Sequence, residues 1–445
     1  MSGVTDLLNI GASGVRAHRA AMGAVSENIA NATTEGYNRR TVEMSESASA
    51  TATSLLYKSG VSFGGVEVKS VTRKTDPYLD LSARHASGNF ESADARATWL
   101  GNVQTALDDG KLGVGQQMTT MFSSVERLAA NPTDTTLRTN MLFSVEQVNA
   151  AFKQTAGELA NVQSGIVTSA ESEVASLNDA IGRVASANEA LRRAVPGSAN
   201  AAQLLDERDQ GLADIAKRVE ITVSYRDSGV VDVSFQGAKI VDNIVPGSFA
   251  VGANANGTLV FGLNGTLVNA PKSGSLSGLA QSATVAADRV AQVDALAAQY
   301  VTDMNAWHQN GRTAAGTPGQ PLLSGADASS IALLISDTKD IASRSADGRA
   351  NGNLVAISTV RGANGAENGW TAIIAAQANM LSATKAEQSA SSNRNQQAQN
   401  ARADVSGIDL DREAADLMRL QQAYEGCARI IQVARESMQA IFAIF

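Results

Sequence analysis

Apolar residues repeat every seven positions at both ends of the chain. Toward the N-terminus Leu8, Val15, Met22 and Ile29 form one ladder, and Val4, Gly11, His18, Val25 and Ala32 form a second beside it. Toward the C-terminus Leu410, Leu417, Tyr424, Ile431, Met438 and Phe445 repeat in the same way, accompanied by Leu420, Cys427, Ala434 and Ile441. A period of about 3.5 residues keeps one seam of a helix turned toward a partner. The pattern predicts coiled-coil helices over 4–32 and 410–445 that pair with each other and pack among neighbours. Gly36 is placed to close the first, because glycine takes the left-handed conformation of a helix end. Asp409 caps the second. Gly11 and His18 weaken an ideal two-stranded seam, which predicts added packing from neighbouring subunits. The ends are expected to be weakly ordered in an isolated subunit.

Between the ends the period changes several times. Over 38–73, Thr41, Glu43 and Ser45 alternate with Val42 and Met44. Val61 and Phe63, then Val66 and Val68, alternate around Gly64-Gly65, which predicts a hairpin. Helical spacing returns after Asp76-Pro77, with helices over 77–108, 114–130, 134–193 and 200–217. Residues 219–279 alternate again: Ile221, Val223 and Tyr225, then Val231, Val233 and Phe235. Turns stand at Asp227-Ser228-Gly229, Asn256-Gly257 and Asn264-Gly265. This predicts one small antiparallel β module inserted between helices. Helices follow over 281–310 and 369–403, the second fading into a polar Ser/Asn/Gln tract read as solvated helix. Mixed loops lie over 311–365.

At 445 residues the chain is long enough for two to four domains. Its aromatic content is only 4 %, which suits close helix packing more than a ring-lined ligand pocket. A formal net charge of −8, with no basic cluster longer than a pair, argues against nucleic acid as a partner. No run of about 18 apolar residues predicts membrane insertion. The N-terminal pattern, with Asp6 and Arg16 inside it, is not that of a cleaved secretory signal.

Catalytic constellations are missing. One cysteine, Cys427, allows no intramolecular disulfide, and its place on a ladder reads as a small buried hydrophobe. His18, His85 and His308 stand apart from one another. His18 reads as an interhelix contact and His308 as a helix-end contact with the dipole. Gly113-Val114-Gly115 lacks the third glycine of a dinucleotide loop, because Met118 holds that place. A hydrolase would have to draw on Asp227, Asp232 and Asp242, two of which flank predicted turns. No catalytic, cofactor-binding or metal-ligating residue is assigned, and no cofactor is expected.

Two terminal stretches carry a resemblance. Ser26-Glu27-Asn28-Ile29-Ala30-Asn31-Ala32-Thr33-Thr34-Glu35-Gly36-Tyr37-Asn38-Arg39 resembles the helix-closing signature of the flagellar rod, hook and hook-associated proteins. Ser406-Gly407-Ile408-Asp409-Leu410-Asp411, Glu413-Ala414-Ala415, Leu420-Gln421-Gln422-Ala423-Tyr424 and Ala428 resemble its C-terminal counterpart. Leu204-Leu205-Asp206-Glu207-Arg208-Asp209 and Ser275-Leu276-Ser277-Gly278-Leu279 resemble the hook-associated branch of that family.

The resemblance implies a structural adaptor at the hook–filament junction of the bacterial flagellum, with no enzymatic role. Such a subunit is exported unfolded by flagellar type III secretion and sits outside the cell. The implied fold is mainly α with inserted β, in three parts. Residues 1–37 plus 405–445 form an inner domain of paired terminal coiled-coil helices. Residues 38–218 plus 280–404 form a middle domain, a long-helix bundle with a β-hairpin. Residues 219–279 form a small antiparallel β outer domain, the only one expected, since longer relatives carry a further outer domain that has no counterpart here. Implied partners are further copies in a ring, hook protein below, a second junction protein above, and an export chaperone on the C-terminal helix. The packing seam falls to Val4, Leu8, Val15, Met22, Val25 and Ile29, with Leu410, Leu417, Leu420, Tyr424, Ile431, Met438, Ile441 and Phe445. The helix-end signature falls to Asn28, Asn31, Gly36 and Tyr37. Alternatives are a hook or filament subunit or, in another class, a secreted hydrolase.

Overall fold

The computed structural model describes residues 2–47 and 64–443. It opens with α1 (Ser2–Ala30), the strands β1 (Arg40–Glu46) and β2 (Val66–Arg73), and then α2 (Pro77–Ala106), α3 (Val114–Ala130), α4 (Thr135–Leu191) and α5 (Ala199–Ala216). Seven short strands follow: β3 (Thr222–Tyr225), β4 (Val231–Phe235), β5 (Ala238–Asp242), β6 (Val245–Pro246), β7 (Phe249–Ala253), β8 (Leu259–Leu263) and β9 (Thr266–Val268). After them come α6 (Ser275–Asn310), β10 (Leu323–Ser324), β11 (Ala332–Leu333), α7 (Gly352–Val355), α8 (Ala366–Ser406) and α9 (Leu410–Phe442). The fold is mainly helical with inserted antiparallel strands, as the periodicity predicts. Helix starts follow the expected chemistry. Asp76 Oδ1 accepts from the Tyr78 N–H at 2.8 Å, and Asp409 Oδ1 from the Asp411 N–H at 3.0 Å. The polar tract near residue 390 is helical within α8. Ser275–Leu279 is the buried first turn of α6, so that helix starts ahead of the expected 281.

The chain divides into two compact units. The first comprises residues 1–87, 176–248 and 393–445. It holds α1, the β1–β2 hairpin, α5, the β3-β4-β5-β6 sheet and α9, with parts of α2, α4 and α8. Gly211 of α5 lies so close to α4 that a Cβ there would stand 2.6 Å from Val184 Cγ2. Asn188, fully buried on α4, holds β4 by both its amide atoms. Nδ2 donates to the Val231 carbonyl at 2.8 Å, and Oδ1 accepts from the Val231 N–H at 3.0 Å.

The second unit comprises residues 88–175 and 249–392. Its core includes Met118, Met121, Phe122, Val125 and Leu128 of α3, and the Phe152–Tyr300 ring pair at 5.9 Å. It also holds the three-stranded sheet β7-β8-β9 and the β10–β11 pair.

One expectation is corrected here. The strands of 219–279 form two sheets, β3–β6 in the first unit and β7–β9 in the second, instead of a single module. Alternation reveals strands but not which of them share hydrogen bonds. The strand that follows Gly64-Gly65 pairs with β1. Gly65 takes φ +81°, its carbonyl accepts from the Ser47 N–H at 2.9 Å, and β2 starts after it. Val61 and Phe63 lie outside the described residues.

His308 is a further correction. It is fully buried rather than a helix-end dipole contact. Nδ1 lies 2.5 Å from the Gln320 carbonyl, which can only accept, so Nδ1 carries the proton. Nε2 accepts from the Ala342 N–H at 3.0 Å. Burial pulls the pKa below its ordinary value, against the Gln320 bond and the Asp340 charge. The neutral ring thus stabilises the fold fully above the unfolded pKa of about 6.5, and this contribution is lost as pH falls through the lower folded value. His308→Gln should unfold at a lower temperature than the parent at neutral pH and lose less stability on acidification to about pH 5. Parallel Tm-against-pH curves for the two proteins would refute this.

Candidate functional site at the paired terminal helices

Helices α1 and α9 pack along each other within the first unit. The face of α1 turned to this contact carries Gly11, Gly14, His18, Ala21, Val25 and Asn28, spaced alternately by three and four. All but the half-buried His18 are buried. A Cβ on Gly11 would stand 2.7 Å from Ile431 Cγ1, and one on Gly14 would stand 2.5 Å from Cys427 Sγ. Gly11 therefore permits close approach rather than weakening the seam. On α9 the facing ladder is Glu413, Leu420, Cys427, Ala434 and Ile441, of which Glu413 and Ala434 are fully buried. Cys427 is free and half-buried against Gly14.

The larger seam residues are less enclosed. Val25 is buried, while Val4, Leu8, Val15, Met22 and Ile29 are half-buried. Leu417, Leu420, Tyr424, Ile431, Met438 and Ile441 are also half-buried; Leu410, in the first turn of α9, is exposed. Phe445 lies outside the described residues. The small residues of α1 thus line the intrachain contact, and the ladder Leu8, Val15, Met22 and Ile29 is left partly open.

The helix-end signature forms one buried polar array. Asn28 Nδ2 donates to the Arg40 carbonyl at 2.9 Å and to Glu413 Oε2 at 2.9 Å. Its Oδ1 accepts from the Arg40 N–H at 2.9 Å and from the Tyr37 hydroxyl at 3.0 Å. Arg39 Nε donates to Glu413 Oε1 at 2.5 Å. Arg40 Nη1 reaches Glu27 at 2.9 Å and Nη2 reaches Asp206 Oδ2 at 3.0 Å. Asp206 Oδ1 also accepts from Asn38 Nδ2 at 2.7 Å and from Arg73 Nη1 at 2.8 Å. Arg73 Nη2 continues to Asp209 at 2.8 Å. Gly36 takes φ +81° in the turn that brings Tyr37 back over Asn28, and Asn31 closes the helix by donating to the Glu27 carbonyl at 3.0 Å.

Strand register explains Asp206. Arg40 and Arg73 stand directly opposite each other on β1 and β2, a like-charge pair that is unfavourable alone. The Asp206 carboxylate takes one guanidinium on each oxygen. Burial would raise the Asp209 pKa, but Arg208 and Arg73 hold it below the usual carboxylate range. Burial pushes the Tyr37 hydroxyl up to about 12, against the Arg40 charge, so it stays a donor to Asn28. Arg40 also lies over the Tyr37 ring, 4.6 Å from its centroid.

Arg39, Arg40, Arg73, Asp206 and Glu413 were not singled out from the sequence as site residues. A signal existed for Glu413: it sits seven before Leu420 on a ladder of otherwise apolar members. Two of the three aspartates considered for hydrolysis are tied down. Asp232 pairs with Arg226 Nε at 2.9 Å and Lys239 at 3.3 Å and accepts from the Asn243 N–H at 2.9 Å; Lys239 also pairs with Asp242. Among the described residues no group of three or more His, Cys, Asp or Glu could hold a metal ion, and no helix is long and apolar enough to cross a membrane.

Comparison with known proteins gives a consistent family. Residues 100–323, just over half of the chain, match the family described as Flagellar hook-associated protein FlgK helical domain. Residues 402–444 match Flagellar basal body rod FlgEFG protein C-terminal. Flagellar hook-associated protein 1 of Salmonella typhimurium is 27 % identical over 52 % of this chain and 41 % of its own length. The protein of the same name from Escherichia coli is 26 % identical over 71 % of this chain and 59 % of its own length. Each of these alignments thus covers less than two thirds of the relative. The Bacillus subtilis protein of that name aligns over 96 % of this chain and 95 % of its own length at 23 % identity.

The array sets a ranking of substitutions. Asn28→Ala leaves Glu413 and the Arg40 backbone without their shared partner and should cost about 2–4 kcal/mol in denaturant unfolding. Asn28→Asp should cost more, because it sets a second carboxylate against a buried one. Gly14→Val should cost about 1–3 kcal/mol by forcing the two helices apart. An Asn28→Ala protein as stable as the parent would show that the array carries no net stability.

Proposed function

Because this chain belongs to the flagellar hook-associated FlgK family, we propose that it is a non-enzymatic structural subunit of the hook–filament junction, assembled through its two terminal helices. The observation that carries this reading is the division of labour on α1. Its small residues are spent on α9, and Leu8, Val15, Met22 and Ile29 remain half-open along one side. On α9, Leu410, Met418, Ile430 and Val433 are exposed. A helix pair that hides glycine and alanine and leaves leucine, methionine and isoleucine accessible has cohesive surface to offer to neighbours. Further copies of the chain in a ring are the natural occupants.

In this reading residues 1–37 and 405–445 form the inner cylinder. Hook protein lies below and a second junction protein above. The subunit travels outside the cell through flagellar type III export, with an export chaperone covering the apolar side of α9. A hook or filament subunit is the nearest other reading. The helical FlgK match and the long helices α2, α4 and α6 favour the junction over the hook. The ion pairs of Asp232 and Asp242 disfavour a hydrolase.

Leu8→Glu with Val15→Glu should leave a folded monomer with parental helix content by circular dichroism and abolish its assembly at high concentration. Cells lacking the gene should keep their hooks, release flagellin into the medium and fail to swim. Unimpaired assembly of the double variant would remove the ladder from the packing surface. Loss of the hooks themselves would remove the junction role.

A further inference from the structure

Arg39 and Arg40 are consecutive, and consecutive residues on extended chain point to opposite sides. Arg39 turns to α9, where it meets Glu413 Oε1 at 2.5 Å and Asp416 at 3.4 Å. Its backbone N–H also donates to the Ser406 carbonyl, just ahead of α9, at 3.0 Å. Arg40 turns the other way, to Glu27 of α1 and Asp206 of α5. Asn28 grips the backbone of Arg40 at both N–H and C=O while holding Glu413 with the same amide.

We propose that the Arg39–Arg40 pair is a coupler that makes the seating of α9 on α1 conditional on α5, through Asp206, a residue whose recorded bonds reach no part of α9. The inference rests on these intrachain bonds and does not require the assembly reading. Without the Asp206 charge, Arg40 and Arg73 confront each other across the base of the hairpin. Arg40 then shifts, and Arg39 beside it moves off Glu413. A fully buried carboxylate that loses its cation is costly, so the start of α9 leaves rather than stays. The two ends of the chain therefore dock only once a segment lying between them in sequence has folded. Asp206, Arg40 and Arg39 are positioning residues for the terminal pair.

Hydrogen exchange on the full-length monomer tests this. Asp206→Asn should raise exchange over residues 410–420 by on the order of tenfold or more, while α3 and α6 keep parental protection. With Glu413→Leu, which removes the buried charge, adding Asp206→Asn should open α9 no further. The coupler is overturned if Asp206→Asn loosens only α5 and the hairpin, or if it opens α9 equally with and without Glu413. If α3 and α6 also lose protection, the variant has unfolded. Arg40→Lys, which keeps the charge but cannot span Glu27 and Asp206, then replaces it, with the same two deciding outcomes.

Discussion

Glu413 is the constraint around which the ends of this chain are organised. It occupies a core position of the α9 ladder and has no exposed surface. A carboxylate so placed is tolerated only if its lone pairs are filled. Asn28 and Arg39 fill them, and each is in turn fixed from elsewhere: Asn28 by the Arg40 backbone and Tyr37, Arg39 by Asp416 and the Ser406 carbonyl. A buried polar contact in a heptad seam adds specificity that apolar ladders lack. Slipped by seven residues, α9 would still set one apolar group against another, but it would put Leu420 where Asn28 expects an acceptor.

The same requirement shapes α1. Its seam must let Cys427 and Ile431 come within contact of the backbone, so Gly11 and Gly14 stand there, followed by Ala21. A helix that approaches its partner this closely cannot present leucine at the same contact. The bulky ladder is rotated away and left half-covered. Tight intrachain pairing and an available apolar side are thus two results of one placement of side chains.

Much of this was legible beforehand, and the failures have physical causes. Seven-residue spacing revealed both terminal helices, and Asp76 and Asp409 marked helix starts. Seven-residue spacing puts Val4, Gly11, His18 and Val25 on one ladder and pairs it with Leu8, Val15, Met22 and Ile29. The closer companions are Gly14, Ala21 and Asn28. Hydrophobic patterning weights large residues, whereas close helix contact selects small ones. The polar array was less legible, because its members come from positions near 28, 40, 73, 206 and 413, and only folding brings them together. His308 looked like a helix-end cation. Its burial depends on the Gln320 and Ala342 backbone, which no local pattern reports.

The choice of arginine follows from what the array must do. Arg39 spans Glu413 and Asp416, Arg40 spans Glu27 and Asp206, and Arg73 spans Asp206 and Asp209. Each guanidinium presents separate donors in a fixed plane, so one side chain can hold two carboxylates on different elements at set angles. Lysine supplies comparable charge from a single point and cannot fix the angle between two partners. An array built from such forks transmits displacement, because moving one carboxylate moves the plane that holds the next. Alternation of sign also keeps the cluster close to neutral, so several charges can be enclosed together where any one of them alone would be driven back to water.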